Sequence, residues 1–228
     1  MLNTATSTAA FLLCIAFSMS TMDKWLEKAT RHYLVWSIAL IMAAVAAATM
    51  AISSTAGWSG ITFRIFYLFG GILNVPWLAL GTVYLLTTKR IGDISAIIVT
   101  AYSAFSIGVL FSTPLLHPVP LHQLAQGSKV FSILPQVLAG TGSSAGALVI
   151  IAGALFSIVK VQRARVIISN CLIAAGVMIM GASGVLNSIF DQMVAFSVTL
   201  ALGIAVIFAG FLTSSAAQPS PAGKQTQI

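Results

Sequence analysis

The side chains able to do chemistry in this chain are few, and most stand where catalysis has little use for them. The three histidines are His32, His117 and His122, and the four acids are Asp23, Glu27, Asp93 and Asp191. A haem held across a helical bundle needs histidines that face one another at depth. His32 stands instead at one end of an apolar stretch, and His117 and His122 share a proline-rich loop with no third ligand nearby for a metal. The acids lie at the ends of apolar stretches or between them, which speaks against a carboxylate-coupled pump or antiporter. No apolar stretch carries a lysine at mid-depth, so retinal bound as a Schiff base is excluded. Cys14 and Cys171 lie within apolar stretches and read as small buried hydrophobes, with no disulfide or zinc spacing.

Neutral residues and one arginine remain. Asn74-Val75-Pro76-Trp77 falls in the middle of an apolar run that Arg64 opens, and Gln136 precedes a later run. Pro76 lacks an N–H and so frees the carbonyl one turn earlier, which predicts a kink. Asn74 could satisfy that carbonyl or line a cavity. Arg64, Gln136, Ser143, Ser144, Ser169 and Asn170, with the outer loop, outline an outward-facing polar pocket, while a solute path would pass Asn74 and Trp77. The candidate ligand-binding residues are therefore Arg64, Asn74, Trp77 and Gln136. No catalytic residue, metal or cofactor is expected, and the chain reads as not an enzyme. A lipid-directed enzyme would need a carboxylate, histidine or metal cluster in one leaflet, and none is assembled.

The elements that must position these residues follow from composition. The chain of 228 residues is 58% hydrophobic and 7% charged, with mean hydropathy +1.01, which excludes an ordinary soluble domain. Stretches long enough to span a bilayer are Asn3–Thr21, Tyr33–Ser53, Phe63–Thr87, Ile94–Thr113, Leu138–Val159, Val166–Asn187 and Met193–Leu212. The first has no Lys or Arg before it, so it reads as a retained span rather than a signal peptide.

Basic residues set the orientation. Lys24, Lys28 and Arg31 fill the first gap, Lys89 and Arg90 the third, and Lys160, Arg163 and Arg165 the fifth, with Lys224 in the tail. Only Arg64 and Lys129 fall elsewhere. The positive-inside rule then puts the N-terminus outside and the C-terminus in the cytoplasm. The net charge of +7 is explained by topology and lipid phosphate, not by nucleic acid.

The first cytoplasmic loop reads as continuing helix, with Glu27 and Arg31 at i,i+4 and Trp25, Tyr33 and Trp58 suited to the interfaces. The loop from Pro114 to Val137 carries Pro114, Pro118, Pro120 and Pro135, and its Leu115, Leu116, Val119, Leu121 and Leu124 are expected to pack over the bundle mouth. Residues 1–213 form the seven-span bundle, and 214–228 are expected to be a disordered cytoplasmic tail. Small residues permit close helix approach: Ala43, Ala44, Ala47, Ala48 and Ala51, then Gly142, Gly146 and Gly153, then Gly176, Gly181, Gly184, Gly203 and Gly210. Gly142 and Gly146 also leave a homodimer open.

Two regions carry a resemblance. Phe63-Arg64-Ile65-Phe66-Tyr67-Leu68-Phe69-Gly70 precedes Trp77-Leu78-Ala79-Leu80-Gly81-Thr82-Val83-Tyr84-Leu85-Leu86. The glycine-rich run ending in Gly153-Ala154-Leu155-Phe156-Ser157 leads to a basic loop and the closing Phe208-Ala209-Gly210-Phe211-Leu212. Together they resemble a group of seven-span membrane proteins of unknown function from actinobacteria and related bacteria. That resemblance implies topology and no activity. A looser likeness joins the seven spans to the sensor regions fused to bacterial histidine kinases, without their output domain. Leu134-Pro135-Gln136-Val137 is similar to the Pro-Gln pair of a sugar-transporting family built from two three-span repeats around a linker span, but the matching first-repeat position has no Pro.

The expectation is an all-α membrane protein, a seven-transmembrane-helix bundle placed multi-pass in the bacterial cell membrane. It would act as a non-enzymatic sensor-like or complex-subunit module. The alternative is a facilitator of a small neutral solute.

Overall fold

An apolar run in hydrocarbon folds as helix because every backbone N–H and C=O must find its partner within the segment. The computed structural model describes residues 2–121, 126–160, 164–190 and 193–215, and no strand occurs among them. The helices are α1 (Leu2–Lys28), α2 (Arg31–Ala56), α3 (Gly60–Phe66), α4 (Asn74–Leu86), α5 (Lys89–Ser112), the short α6 (Gly127–Val130), α7 (Ile133–Lys160), α8 (Ala164–Phe190) and α9 (Met193–Ser215). A π-helical segment, Tyr67–Leu73, joins α3 to α4, so Gly60–Leu86 is one continuous rod. Among the described residues, five helices are long and apolar enough to cross a membrane: Thr4–Lys28, Arg31–Ala56, Gly60–Leu86, Lys89–Ser112 and Ile133–Ser157. The described apolar stretches of α8 and α9 are Ile167–Met180 and Val198–Thr213. Most of the tail expected to be disordered, from 216 on, lies outside the described residues.

The helices stop where the chain offers a break. Ala29 adopts a left-handed conformation (φ 51) and Thr30 is extended, so α1 ends and α2 begins within two residues. This cuts the continuing helix expected there, and Glu27 and Arg31 are not neighbours on one helix face. Gly57, at φ 85, ends α2. Ser59 then starts α3 with a reciprocal cap, its side chain accepting from the Thr62 N–H while the Thr62 hydroxyl accepts from its own N–H.

Neighbouring helices close a ring. α1 packs on α2, α2 on α4, α4 on α7, α7 on α8, α8 on α9, and α9 returns to α1. α5 lies outside this ring against α4, with a lighter contact to α7. The ring's interior is filled by small and branched side chains, among them Ala10, Cys14, Ala43, Ala47 and Ile204 on one side and Ala79, Ile150 and Val177 on the other.

Lipid supplies no hydrophobic drive for helix association, so the ring depends on close approach. A Cβ on Gly146 would come within 2.9 Å of the Val75 carbonyl oxygen, and one on Gly142 within 2.3 Å of the Tyr102 hydroxyl. Gly176 and Gly203 bring α8 and α9 together in the same way, each meeting the other's carbonyl. Gly142 and Gly146 thus face the third rod and α5 within the chain, and a second copy would have to meet another surface.

Gly140, by contrast, has nothing within 4 Å of its Cβ position. Gly146→Ala is expected to lower unfolding stability in detergent by about 1–3 kcal/mol through overpacking, while Gly140→Ala leaves it unchanged or slightly raised. Equal effects at the two positions would contradict this packing.

Candidate functional site

Each candidate residue owes its position to the rod Gly60–Leu86 or to the start of α7. The cap at Ser59 orients α3 so that Arg64 points across the end of α5. Its guanidinium donates to the Leu110 carbonyl and, at 2.7 Å, to the Thr113 carbonyl. These acceptors lie where α5 runs out of its own N–H partners, and a cation there also meets the negative end of the helix dipole. The same guanidinium lies over the Phe131 ring, 5.7 Å from its centroid.

Gln136, in the first turns of α7, donates its amide N–H groups to the carbonyls of Phe131 (2.9 Å) and Ser132 (3.3 Å). Arg64 and Gln136 therefore both engage Phe131, the first over its ring and the second at its carbonyl. Phe131 is fully buried, stacked on Phe63 at 5.5 Å and tilted against Tyr67 at 5.0 Å. Trp58 meets Phe63 and Phe66 edge-on, and its backbone N–H donates to the Leu121 carbonyl at 2.9 Å. The Leu116 N–H donates to the Val130 carbonyl, tying the two halves of the loop.

This plug differs from the sequence reading in three respects. Trp58 is buried in the core instead of standing at an interface. Leu116 and Leu121 point outward, and only Leu115 and Val119 pack against the core. Val130 and Phe131 do the filling, and the signal for them was the apolar pair set between polar Ser128-Lys129 and Ser132. Leu124 and His122 lie outside the described residues.

Deeper in, Asn74 and Trp77 separate. Trp77 donates its indole N–H to the Ser103 hydroxyl at 3.1 Å, and Ser103 passes its own hydrogen to the Val99 carbonyl at 2.7 Å. Asn74 sits at the junction of the π segment and α4, 3% exposed, and its side-chain oxygen has no partner among the described residues. Beside the position of the expected kink the backbone widens: the π segment Tyr67–Leu73 ends three residues before Pro76, which lies in the first turn of α4. Ser143 crosses from α7 to donate to the Gly71 carbonyl within that segment at 3.0 Å. Ser144 is exposed, and Ser169 donates to the Gly210 carbonyl at 2.7 Å, binding α8 to α9. The side chain of Asn170 is outside the description.

At the basic end of the rod, the Tyr84 hydroxyl donates to Asp93 at 2.8 Å, and Arg31 forms an ion pair with the same carboxylate. Trp36 of α2 donates to the Leu78 carbonyl at 3.2 Å, in a space that Gly81 leaves open. His32 lies tilted against Tyr33 and edge-on to Trp36, and His117 is exposed. Cys14 is buried, whereas Cys171 is exposed, unlike the buried pair expected. Asp191, Arg163 and Lys224 lie outside the described residues. Among the described residues no group of three His, Cys, Asp or Glu could hold a metal ion.

With this geometry in hand, the chain matches no family model, no curated protein and no solved structure. The functional reading therefore rests on the side chains themselves. Of the four candidates, Arg64, Trp77 and Gln136 donate to partners within the chain, and Asn74 has a buried side-chain oxygen with no partner among the described residues.

Those two conditions have opposite thermodynamic signs. Arg64→Met removes charged hydrogen bonds and is expected to cost about 1.5–3 kcal/mol of stability in detergent. Asn74→Leu removes an acceptor that is desolvated without return, so stability should hold or rise by about 1 kcal/mol. A loss on Asn74→Leu as large as on Arg64→Met would show that the amide has a partner.

Proposed function

We propose that the chain is a seven-span integral protein of the bacterial cell membrane, with its N-terminus outside and its C-terminus in the cytoplasm. It acts as a non-enzymatic module, sensor-like or a subunit of a larger membrane complex. α8 and α9, of 27 and 23 residues, are long enough at about 1.5 Å per residue to complete the count of seven. The basic clusters beside α1, α5 and α8 supply the orientation. The resemblance to seven-span proteins of actinobacteria agrees with that topology.

The observation that carries the module reading is α5. It stands outside the ring and turns Ile97, Phe105 and Phe111, 70%, 56% and 44% exposed, away from the rest of the chain. A helix held along one face and bare along the other is suited to meeting a second membrane protein. The side chains that could have opened a polar mouth are instead bonded around Phe131.

A specific feature favours the second reading, a facilitator for a small neutral solute. The ring takes α1, α2 and the rod in order and then α7, α8 and α9, with α5 between them in sequence and outside the ring. Transporters built from two triplets of helices carry solute sites near mid-depth. Asn74, buried and unpaired in the middle of the rod, would offer such a solute an acceptor.

Two measurements decide. In a cysteine-free background, an impermeant maleimide should label Ser128→Cys from outside intact cells and Thr87→Cys only after the membrane is opened. The reverse pattern would overturn the topology. A photoreactive residue at Phe105 or Phe111 should give a discrete protein adduct in native membranes, and one at Leu148 on α7 should not. Lipid adducts alone at all three sites, together with neutral-solute uptake into proteoliposomes that Asn74→Ala abolishes, would move the conclusion to the facilitator.

A further inference from the structure

Between α5 and α7 the rod is left uncovered, and the gap is a crevice of about 390 Å³. Its floor is Ala79 and Val83 of α4, and its walls are Ile98 and Tyr102 of α5 and Ala145 and Val149 of α7. Besides Ser95, which lies at the end nearer Lys89, the hydroxyls along it are turned to backbone carbonyls. Tyr102 donates to the Leu138 carbonyl at 2.7 Å and Thr141 to the Val137 carbonyl at 2.7 Å. The first of these bonds bridges α5 to α7 at the end away from Lys89, and apart from Ser95 the slot is lined by apolar groups.

The slot's length and open end say what fits. The α7 wall runs from Thr141 to Val149, about 12 Å at 1.5 Å per residue, close to the hydrocarbon depth of one leaflet at about 15 Å. The open end points toward the start of α5, where Lys89 and Arg90 are exposed. Arg31 nearby is neutralised by Asp93, so the net charge at this end is positive. Basic residues beside a gap between spans recognise anionic headgroups.

We infer that the slot holds one acyl chain of an anionic phospholipid whose phosphate lies against Lys89 and Arg90. The site rests on the membrane reading alone and is independent of whether the protein senses, assembles or conducts. The lipid completes the contact between α5 and α7 that the protein leaves open. It also makes the seating of α5 dependent on leaflet composition.

The test is native mass spectrometry of the full chain, released from detergent containing either dioleoyl phosphatidylglycerol or dioleoyl phosphatidylcholine. One phosphatidylglycerol per chain should survive activation that strips phosphatidylcholine. Ala145→Phe, which fills the slot from α7, should abolish that retention, and Ile98→Trp should do so from the opposite wall. Lys89→Gln with Arg90→Gln should keep a bound lipid but lower the preference for phosphatidylglycerol roughly thirtyfold, at about fivefold per basic residue. Unchanged melting temperatures would confirm that the variants fold. Equal retention of the two lipids by the wild type, or retention untouched by both slot-filling variants, would overturn the site. The maleimide pattern at Ser128 and Thr87 tests the membrane reading separately.

Discussion

The rod Gly60–Leu86 is not one regular helix, because a π turn at Tyr67–Leu73 precedes Pro76, which has no amide hydrogen to donate. The rest of the arrangement depends on the change of phase this produces. At 100° per residue an unbroken α-helix would set Arg64 about 220° around from Trp77 and about 200° from Tyr84, on opposite faces. One extra residue in the turn rotates the following helix back by about 100°. All three polar side chains can then reach α5. Arg64 holds its last carbonyls, Trp77 its middle at Ser103, and Tyr84, with Arg31, its start at Asp93.

These contacts matter because α5 has little else. In lipid an exposed isoleucine gains nothing by burial against another helix, so association comes from close packing and from polar bonds in a medium of low dielectric. The other long helices use small residues: alanine between α1 and α2, at Ala10, Ala43 and Ala47, and glycine elsewhere. Gly146 and Gly153 seat α7 on the rod, and Gly176 and Gly203 seat α8 on α9, each where a Cβ would collide. On α5, Gly108 has open space at its Cβ position, while Gly92 makes room for Tyr84 at one of the polar contacts. The molecule thus combines a ring packed through alanine and glycine with a peripheral helix held by polar contacts, three toward the rod and one, Tyr102 to the Leu138 carbonyl, toward α7. That difference is the physical basis for assigning α5 the outward role.

Much of this was legible in the residues. Apolar runs announced the long helices, because a backbone without water must close its own hydrogen bonds, and the glycine spacing marked the seams. Short-range conflicts were harder to read. Pro76 signalled a disturbance, but whether a helix kinks or widens depends on its neighbours, here Ser143 reaching the Gly71 carbonyl. Ala29 in a left-handed conformation has no signature in composition and cuts the helix that Glu27 and Arg31 suggested. The candidate site was legible as a set of residues and not as a geometry. Arg64 and Gln136 both engage Phe131, which is drawn in from a proline-rich loop. Loop closure of that kind is set by contacts far apart in sequence.

The central claim is that polar contacts from the third rod, more than apolar packing, seat α5. Spin labels at Ile97 on α5 and Ile41 on α2, both exposed, would report this by double electron–electron resonance in lipid nanodiscs. The wild type should give one narrow distance distribution. Combining Arg64→Met, Trp77→Phe and Tyr84→Phe, which keep the side chains' bulk and remove their donors to α5, should broaden it and shift it to longer distances. A distribution unchanged by the triple substitution would contradict the account.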